Sequence, residues 1–119
     1  MLRVTIIGLG FVGLTLTSFL SSKKIKVIGI DSNQKKIDEL GKGCVDFFEP
    51  DLEKFLKKGK KFQEFTTDIN SRTLDSDLIF ITVGTPLDKK NKINLESVKL
   101  VTKKISMNLN KNSKKTNII

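Results

Sequence analysis

The sequence predicts an α/β domain built on a doubly wound parallel sheet, and three observations carry that expectation. Short apolar runs alternate with amphipathic segments along the chain. The first run, Val4-Thr5-Ile6-Ile7, opens directly into Gly8-Leu9-Gly10-Phe11-Val12-Gly13. A later run, Leu78-Ile79-Phe80-Ile81-Thr82-Val83, is almost wholly apolar, as befits a central strand covered on both faces. Strands alternating with helices select right-handed crossovers and a parallel sheet. The expected strand order is 3-2-1-4-5, with a crevice between the carboxyl ends of strands 1 and 4.

The elements follow in chain order. After strand 1, Gly8 permits a sharp exit, Gly10 leaves the main chain open to a pyrophosphate, and Gly13 lets the helix settle on the sheet. The helix N-terminus offers free N–H groups and a positive dipole end to phosphates. In that helix Val12, Leu16, Phe19 and Leu20 fall at helical spacing and are expected to face the sheet. Thr15, Thr17, Ser18 and Ser21 should lie largely away from that stripe. Residues 25–30 read as strand 2, ending at Asp31. That lies about 20 residues beyond the glycines, where a dinucleotide-binding domain places the acid that accepts from the adenosine ribose hydroxyls. Such a carboxylate also repels the 2′-phosphate of NADP; alternatively, Asp31 caps the next helix. Lys35 and Lys36 would tolerate a 2′-phosphate, but NAD is the expected cofactor.

Asn33 is placed to cap a short helix with Ile37 and Leu40 inward and Gly41 as its stop. Residues 43–48 read as a loop. Glu49-Pro50-Asp51 then starts another helix, with Pro50 at its first position and Leu52, Phe55 and Leu56 as its stripe. Lys57 and Lys58 complement its C-terminal dipole, and Gly59 ends it. Residues 62–66 are expected as an edge-ward strand, with Thr67 or Asp68 capping a short segment that carries Ile69 and Leu74. Strand 4 runs into a turn forced by Gly84-Thr85-Pro86. Asn94 caps the last helix, where Leu95, Val98, Val101 and Ile105 recur at three- and four-residue steps. Residues 110–115 form a polar connector, and residues 116–119 begin a fifth strand inside which the sequence ends.

Composition narrows the function classes. The 119 residues suit one domain spanning 1–119 with a working core. No apolar run approaches the roughly 20 residues of a membrane span, so no membrane partner is expected. The chain enters a strand at once with Arg3 as its only early charge, which argues against a signal peptide and for the cytoplasm. Histidine is absent, which excludes Ser–His and Cys–His nucleophile pairs. The single Cys44 excludes an internal disulfide and a thiolate zinc cage, and no metal site is expected. The net charge of +9 raises the question of nucleic acid. Its lysines cluster at helix ends and in loops (Lys57, Lys58, Lys60 and Lys61; Lys89, Lys90 and Lys92; Lys111, Lys114 and Lys115), without Trp or Tyr to stack bases. No nucleic-acid partner is expected; a solvated surface that attracts phosphate-bearing ligands is.

Several segments resemble, in the same order, the NAD-binding domain of the UDP-glucose/GDP-mannose 6-dehydrogenase family. They are Ile7-Gly8-Leu9-Gly10-Phe11-Val12-Gly13-Leu14, Asp31 with Lys36-Ile37, Phe48-Glu49-Pro50-Asp51-Leu52, and Phe65-Thr66-Thr67-Asp68. Ile81-Thr82-Val83-Gly84-Thr85-Pro86 matches best. Phe11 stands where the family usually has tyrosine, and Asp51 where glycine is common. The resemblance implies a Rossmann-like fold and NAD as cofactor. By it Gly8, Leu9, Gly10, Phe11, Val12 and Gly13 hold the pyrophosphate, Asp31 takes the adenosine ribose, Lys36 lies near it, and Thr85 contacts NAD. The residues themselves support the glycines and Asp31. Thr85 is either a cofactor contact or an ordinary turn residue. Lys36 rests mainly on the resemblance, with an exposed surface lysine as the alternative.

The family oxidises the C6 hydroxyl of UDP-glucose, GDP-mannose or related sugar nucleotides to a carboxylate, passing two hydrides to two NAD molecules by way of a cysteine thiolate. That cysteine, its lysine and asparagine helpers and the sugar-binding domain lie beyond the equivalent of Ile119, and Cys44 does not match it. The chain alone is thus expected to bind NAD without turnover and to carry no catalytic residue. It should meet a nucleotide-sugar substrate only when the remaining part is supplied, and self-associate through its fifth-strand edge. The other reading is a non-catalytic NAD-sensing regulatory module; the Val83-Gly84-Thr85-Pro86 turn and the Glu49-Pro50 segment favour the dehydrogenase.

Overall fold

A computed structural model describes residues 1–109 and 116–119; the expected connector at 110–115, with Lys111, Lys114 and Lys115, lies outside the described residues. The apolar runs become strands and the amphipathic segments become helices. In order these are β1 (Arg3–Ile7), α1 (Phe11–Ser22), β2 (Lys26–Ile30), α2 (Gln34–Gly41), α3 (Leu52–Lys58), β3 (Gln63–Thr66), β4 (Leu78–Ile81), α4 (Glu96–Asn108) and β5 (Asn117–Ile118). All strand pairs are parallel, in the expected order β3-β2-β1-β4-β5. Val4 to Ile7 of β1 are all but inaccessible. Alternation along that strand sends Val4 and Ile6 into a core with α1, α2 and α3, and Ile7 into a second core with Leu74, Ile79, Val101 and Ile105.

The first correction concerns α1. Its buried residues are Gly13, Leu14, Thr17, Ser18, Ser21 and Ser22, while Val12 is 63% and Phe19 50% exposed. The small polar stripe faces inward because it lets the helix approach its neighbours closely, and its hydroxyls bond within the helix. Thr17 Oγ1 donates to Gly13 O (2.8 Å), Ser18 Oγ to Thr15 O (2.8 Å) and Ser22 Oγ to Phe19 O (2.7 Å). Satisfied in this way, a hydroxyl is buried at little cost. Leu16 and Leu20 pack on the core from the flank. Gly59, just after α3, is pressed against Ser21, so the glycine is needed for space rather than for a left-handed turn.

Asn33 caps α2, its Oδ1 accepting from Lys36 N (3.2 Å), and Ile37 and Leu40 face inward as expected. Gly41 belongs to the helix; the left-handed residue that follows is Gly43, at φ +79°. Pro50 does not open α3. It presets a tight turn in which Leu52 N donates to Glu49 O (3.2 Å), and Asp51 takes φ +66° as a helix cap without a side-chain bond. That left-handed conformation is one glycine accepts freely.

The β3–β4 connection has a turn where a capped segment was expected. Asn70 and Thr73 bond reciprocally: Thr73 N donates to Asn70 Oδ1 (3.0 Å) and Asn70 N to Thr73 Oγ1 (3.0 Å). Leu74 is thereby delivered to the core. β4 is shorter than its apolar run: Thr82 keeps one main-chain bond to β1, and Thr82 and Val83 then lie against the turn after β1. Beyond Pro86 the chain makes a small antiparallel bridge, Leu87 to Ile93, that the sequence did not suggest. Asn94 Oδ1 accepts from Glu96 N (2.9 Å) at the start of α4, whose inner residues are Val101 and Ile105; Leu95 is 48% exposed.

Two glycine substitutions separate these effects. A Cβ on Gly59 would lie 2.5 Å from the Ser21 carbonyl carbon, whereas Gly41 sits at a helix end with open space around it. Gly59→Ala is expected to lose about 2–3 kcal/mol of stability in urea unfolding. Gly41→Ala should gain about 0.5 kcal/mol in the same measurement.

Candidate functional site

The carboxyl ends of β1 and β4 meet at a crevice of ≈ 590 Å³. One wall is the main chain of residues 8–12, and a second is the exit of β2 at Ile30, Asp31 and Ser32. Thr82, Val83, Gly84 and Thr85 form a third after β4, and Thr67 with Ile69 lies beyond β3. The remaining wall is one stripe of α4, in which Ser97, Leu100, Val101 and Lys104 stand at helical spacing.

The three glycines of the turn have different reasons to be glycine. Gly8 takes φ +101°, and a Cβ there would lie 2.7 Å from the main chain of Thr82 and Val83. A Cβ on Gly13 would collide with Gly8 O and come within 2.6 Å of Thr82 Oγ1. Gly10 caps α1 in an extended conformation with nothing within 4 Å of its missing Cβ. The fold requires glycine at 8 and 13; at 10 it leaves room in the crevice over the helix N-terminus.

Side chains from three elements hold this turn. Gly8 N donates to Ile30 O (2.7 Å). Thr82 Oγ1 donates to Gly8 O (2.6 Å), and Leu9 N to Asp31 Oδ2 (2.9 Å), so one peptide is held at both ends. Lys36 Nζ donates to Leu9 O (3.2 Å), which holds the next peptide. Asp31 Oδ1 accepts from Asn33 N (2.9 Å). Asp31 is therefore not the cap of α2, a place Asn33 takes, and Lys36 is half-buried rather than a free surface lysine.

Of the residues singled out from the sequence, Gly8, Leu9, Gly10, Phe11, Val12, Asp31, Lys36 and Thr85 line the crevice. Leu9 contributes main chain only, since its side chain is fully buried in the core. Gly13 lies beneath the surface, at the contact between α1 and the turn. Phe11 stands at the mouth, 5.6 Å from the Phe47 ring. Thr82, Thr67, Ile69 and the α4 stripe were missed. The stripe was findable, because Ser97, Leu100, Val101 and Lys104 share one helical face, but the apolar spacing of Leu95, Val98, Val101 and Ile105 marks a different face of the same helix. Cys44 is exposed and does not line the crevice. Among the described residues no group of His, Cys, Asp or Glu is placed to hold a metal, and no helix is long and apolar enough to cross a membrane.

A glycine turn over a helix N-terminus at the switch point of a parallel sheet, with an acid ending the second strand, defines a dinucleotide-binding domain. Residues 2–119 match the NAD-binding domain of the UDP-glucose/GDP-mannose dehydrogenase family. The chain belongs to that family, and NAD is its cofactor. It is 34% identical over 120 residues to a GDP-mannose 6-dehydrogenase of Pseudomonas aeruginosa, covering 99% of this chain and 28% of the relative. To a UDP-glucose 6-dehydrogenase of Bacillus subtilis it is 36% identical over 112 residues, covering 92% and 24%. A ternary-complex structure of GDP-mannose dehydrogenase from P. aeruginosa superposes with a TM-score of 0.92 at 32% identity, over 98% of this chain and 27% of that one. The chain thus spans about a quarter of the length of these relatives.

The different roles of the glycines can be separated by stability alone. Gly10→Val is expected to unfold within about 1 kcal/mol of the parent, a modest loss for a β-branched helix cap. Gly13→Ala should lose about 3 kcal/mol or more, because its Cβ meets main chain that cannot yield. Urea unfolding of both variants is the check.

Proposed function

We propose that residues 1–119 act as one unit that holds NAD for a nucleotide-sugar 6-dehydrogenase, and that they do so in the crevice between β1 and β4. The observation that carries this is the open space at Gly10, at the N-terminus of a 12-residue helix and in the same crevice as Asp31. The space a Cβ would fill lets a pyrophosphate reach the main chain, and the first-turn N–H groups of α1 have no partner within the helix.

In this reading Gly8, Leu9, Gly10, Phe11, Val12 and Gly13 form the pyrophosphate cradle. Asp31 receives the adenosine ribose. Each of its oxygens takes one main-chain N–H, which leaves acceptor capacity on both for the ribose hydroxyls. Its charge disfavours a 2′-phosphate. Lys36 holds the Leu9 carbonyl and adds a positive charge beside the cofactor. Thr85, exposed on the lip, offers a hydroxyl from the β4 side. Bound NAD supplies the hydride acceptor for oxidation of an alcohol carbon. No side chain lining the crevice is a cysteine or a histidine, so these residues bind and orient rather than attack. The nucleotide sugar and its oxidation at C6 come to this chain through its relatives, two of which are named GDP-mannose and UDP-glucose 6-dehydrogenase; a cytoplasmic site of action belongs to the same proposal.

Thermal-shift titration tests the reading. NAD should stabilise the chain by about 2.7 kcal/mol at 100 times its dissociation constant, with NADP clearly weaker at equal concentration. Equal or stronger stabilisation by NADP would overturn the role of Asp31, and Gly10→Val should abolish the NAD shift. With UDP-glucose or GDP-mannose and NAD, the 119-residue chain should release no NADH, and Cys44→Ser should bind NAD like the parent. NADH release that disappears in Cys44→Ser would make that thiol the nucleophile.

A further inference from the structure

We propose that Thr82 is a positioning residue for the cofactor, its hydroxyl setting the orientation of the turn that receives the pyrophosphate. The proposal rests on the reading of residues 8–13 as that cradle. Thr82 is the first residue past β4, where its N–H donates to Ile7 O (2.8 Å) and so prolongs the pairing of β1 with β4 by one bond. Its side chain turns to the same place. Oγ1 donates to Gly8 O at 2.6 Å and lies 3.2 Å from Ile7 O, at the bend where two successive carbonyls converge.

A peptide unit is planar, and its C=O and N–H point in opposite directions. The Gly8–Leu9 peptide has its carbonyl held by Thr82 and its N–H held by the Asp31 carboxylate. These side chains come from the ends of β4 and β2, on either side of β1. With both ends bound, that peptide has one orientation left. The following peptide has its carbonyl held by Lys36, which turns the Gly10 N–H the other way. The main chain is therefore arranged before a ligand arrives, and less ordering is left to be done on binding.

The hydroxyl also sits in the gap between the turn and the helix. A Cβ on Gly13 would stand 2.6 Å from Thr82 Oγ1, so this oxygen fills the space between the strand exit and the first turn of α1. Replaced by a methyl, it would leave the buried Gly8 carbonyl against an apolar group, and the peptide would rotate to find another donor. Thr82 acts through Gly8, so its loss should be felt by ligands that carry the pyrophosphate and not by those that use only the ribose side.

The test compares parent, Thr82→Val and Thr82→Ser with three probes: NAD and ADP by calorimetry, and adenosine by NMR titration. Thr82→Val is expected to bind NAD and ADP about 10-fold more weakly, the size of one hydrogen bond. Adenosine should bind within about twofold of the parent, and Thr82→Ser, which keeps the hydroxyl, should recover NAD and ADP affinity. Should Thr82→Val not unfold cooperatively, Thr82→Ala takes its place. Unchanged NAD and ADP affinity in the variant overturns the proposal, as does an equal loss for all three probes, which would mark a general structural role. Failure of the parent to bind NAD instead overturns the reading of the cradle itself.

Discussion

The contact between the turn after β1 and the exit of β4 is the constraint on which the rest of the site depends. Gly8 has no room for a Cβ against the main chain of Thr82 and Val83, and Gly13 has none against Gly8 O. The turn, the strand exit and the first turn of α1 therefore close on one another as backbone against backbone, with only the Thr82 hydroxyl between them. That closeness brings the helix N-terminus to the switch point of the sheet, where strand order reverses about β1 and a crevice opens. Farther apart, the first-turn N–H groups of α1 would address solvent rather than a ligand.

The same economy of space governs the other face of α1. Thr17, Ser18, Ser21 and Ser22 are buried where larger apolar side chains were expected, and Gly59 after α3 lies on Ser21. Small residues let α3 and β2 approach closely, and donation to carbonyls three or four residues back keeps their hydroxyls satisfied. The large residues Phe11, Val12 and Phe19 are displaced outward. Two of these, Phe11 and Val12, stand at the crevice mouth, so packing behind the helix determines which side chains frame the entrance.

Much of this was legible in the sequence, for reasons that differ by element. The strand order and the glycine turn could be read because local spacing and backbone chemistry determine them. Asp31 could be read because it ends a short apolar run at a set distance from the glycines. The inward face of α1 could not, since a periodicity rule equates apolar with buried and has no measure for how close two elements must come. Pro50 was misplaced because the same fixed φ serves a helix start and a tight turn. Thr82 was passed over because its partner, Gly8, is 74 residues away and a lone hydroxyl at a strand end carries no signature. The lysines at 36 and 104 illustrate a similar limit: both line the crevice, yet in the sequence they are two among many.

The most direct measurement of where NAD binds is a titration of the isotope-labelled chain followed through its amide resonances. Saturating NAD should shift the amides of Gly8, Leu9, Gly10, Phe11, Val12 and Asp31, with further shifts at Thr82, Thr85 and the α4 stripe from Ser97 to Lys104. Amides on the opposite side, such as those of Glu53 and Lys57 on α3, should stay in place. Shifts centred on α3 or the β3 edge, with residues 8–13 unmoved, would contradict cofactor binding at the β1–β4 crevice.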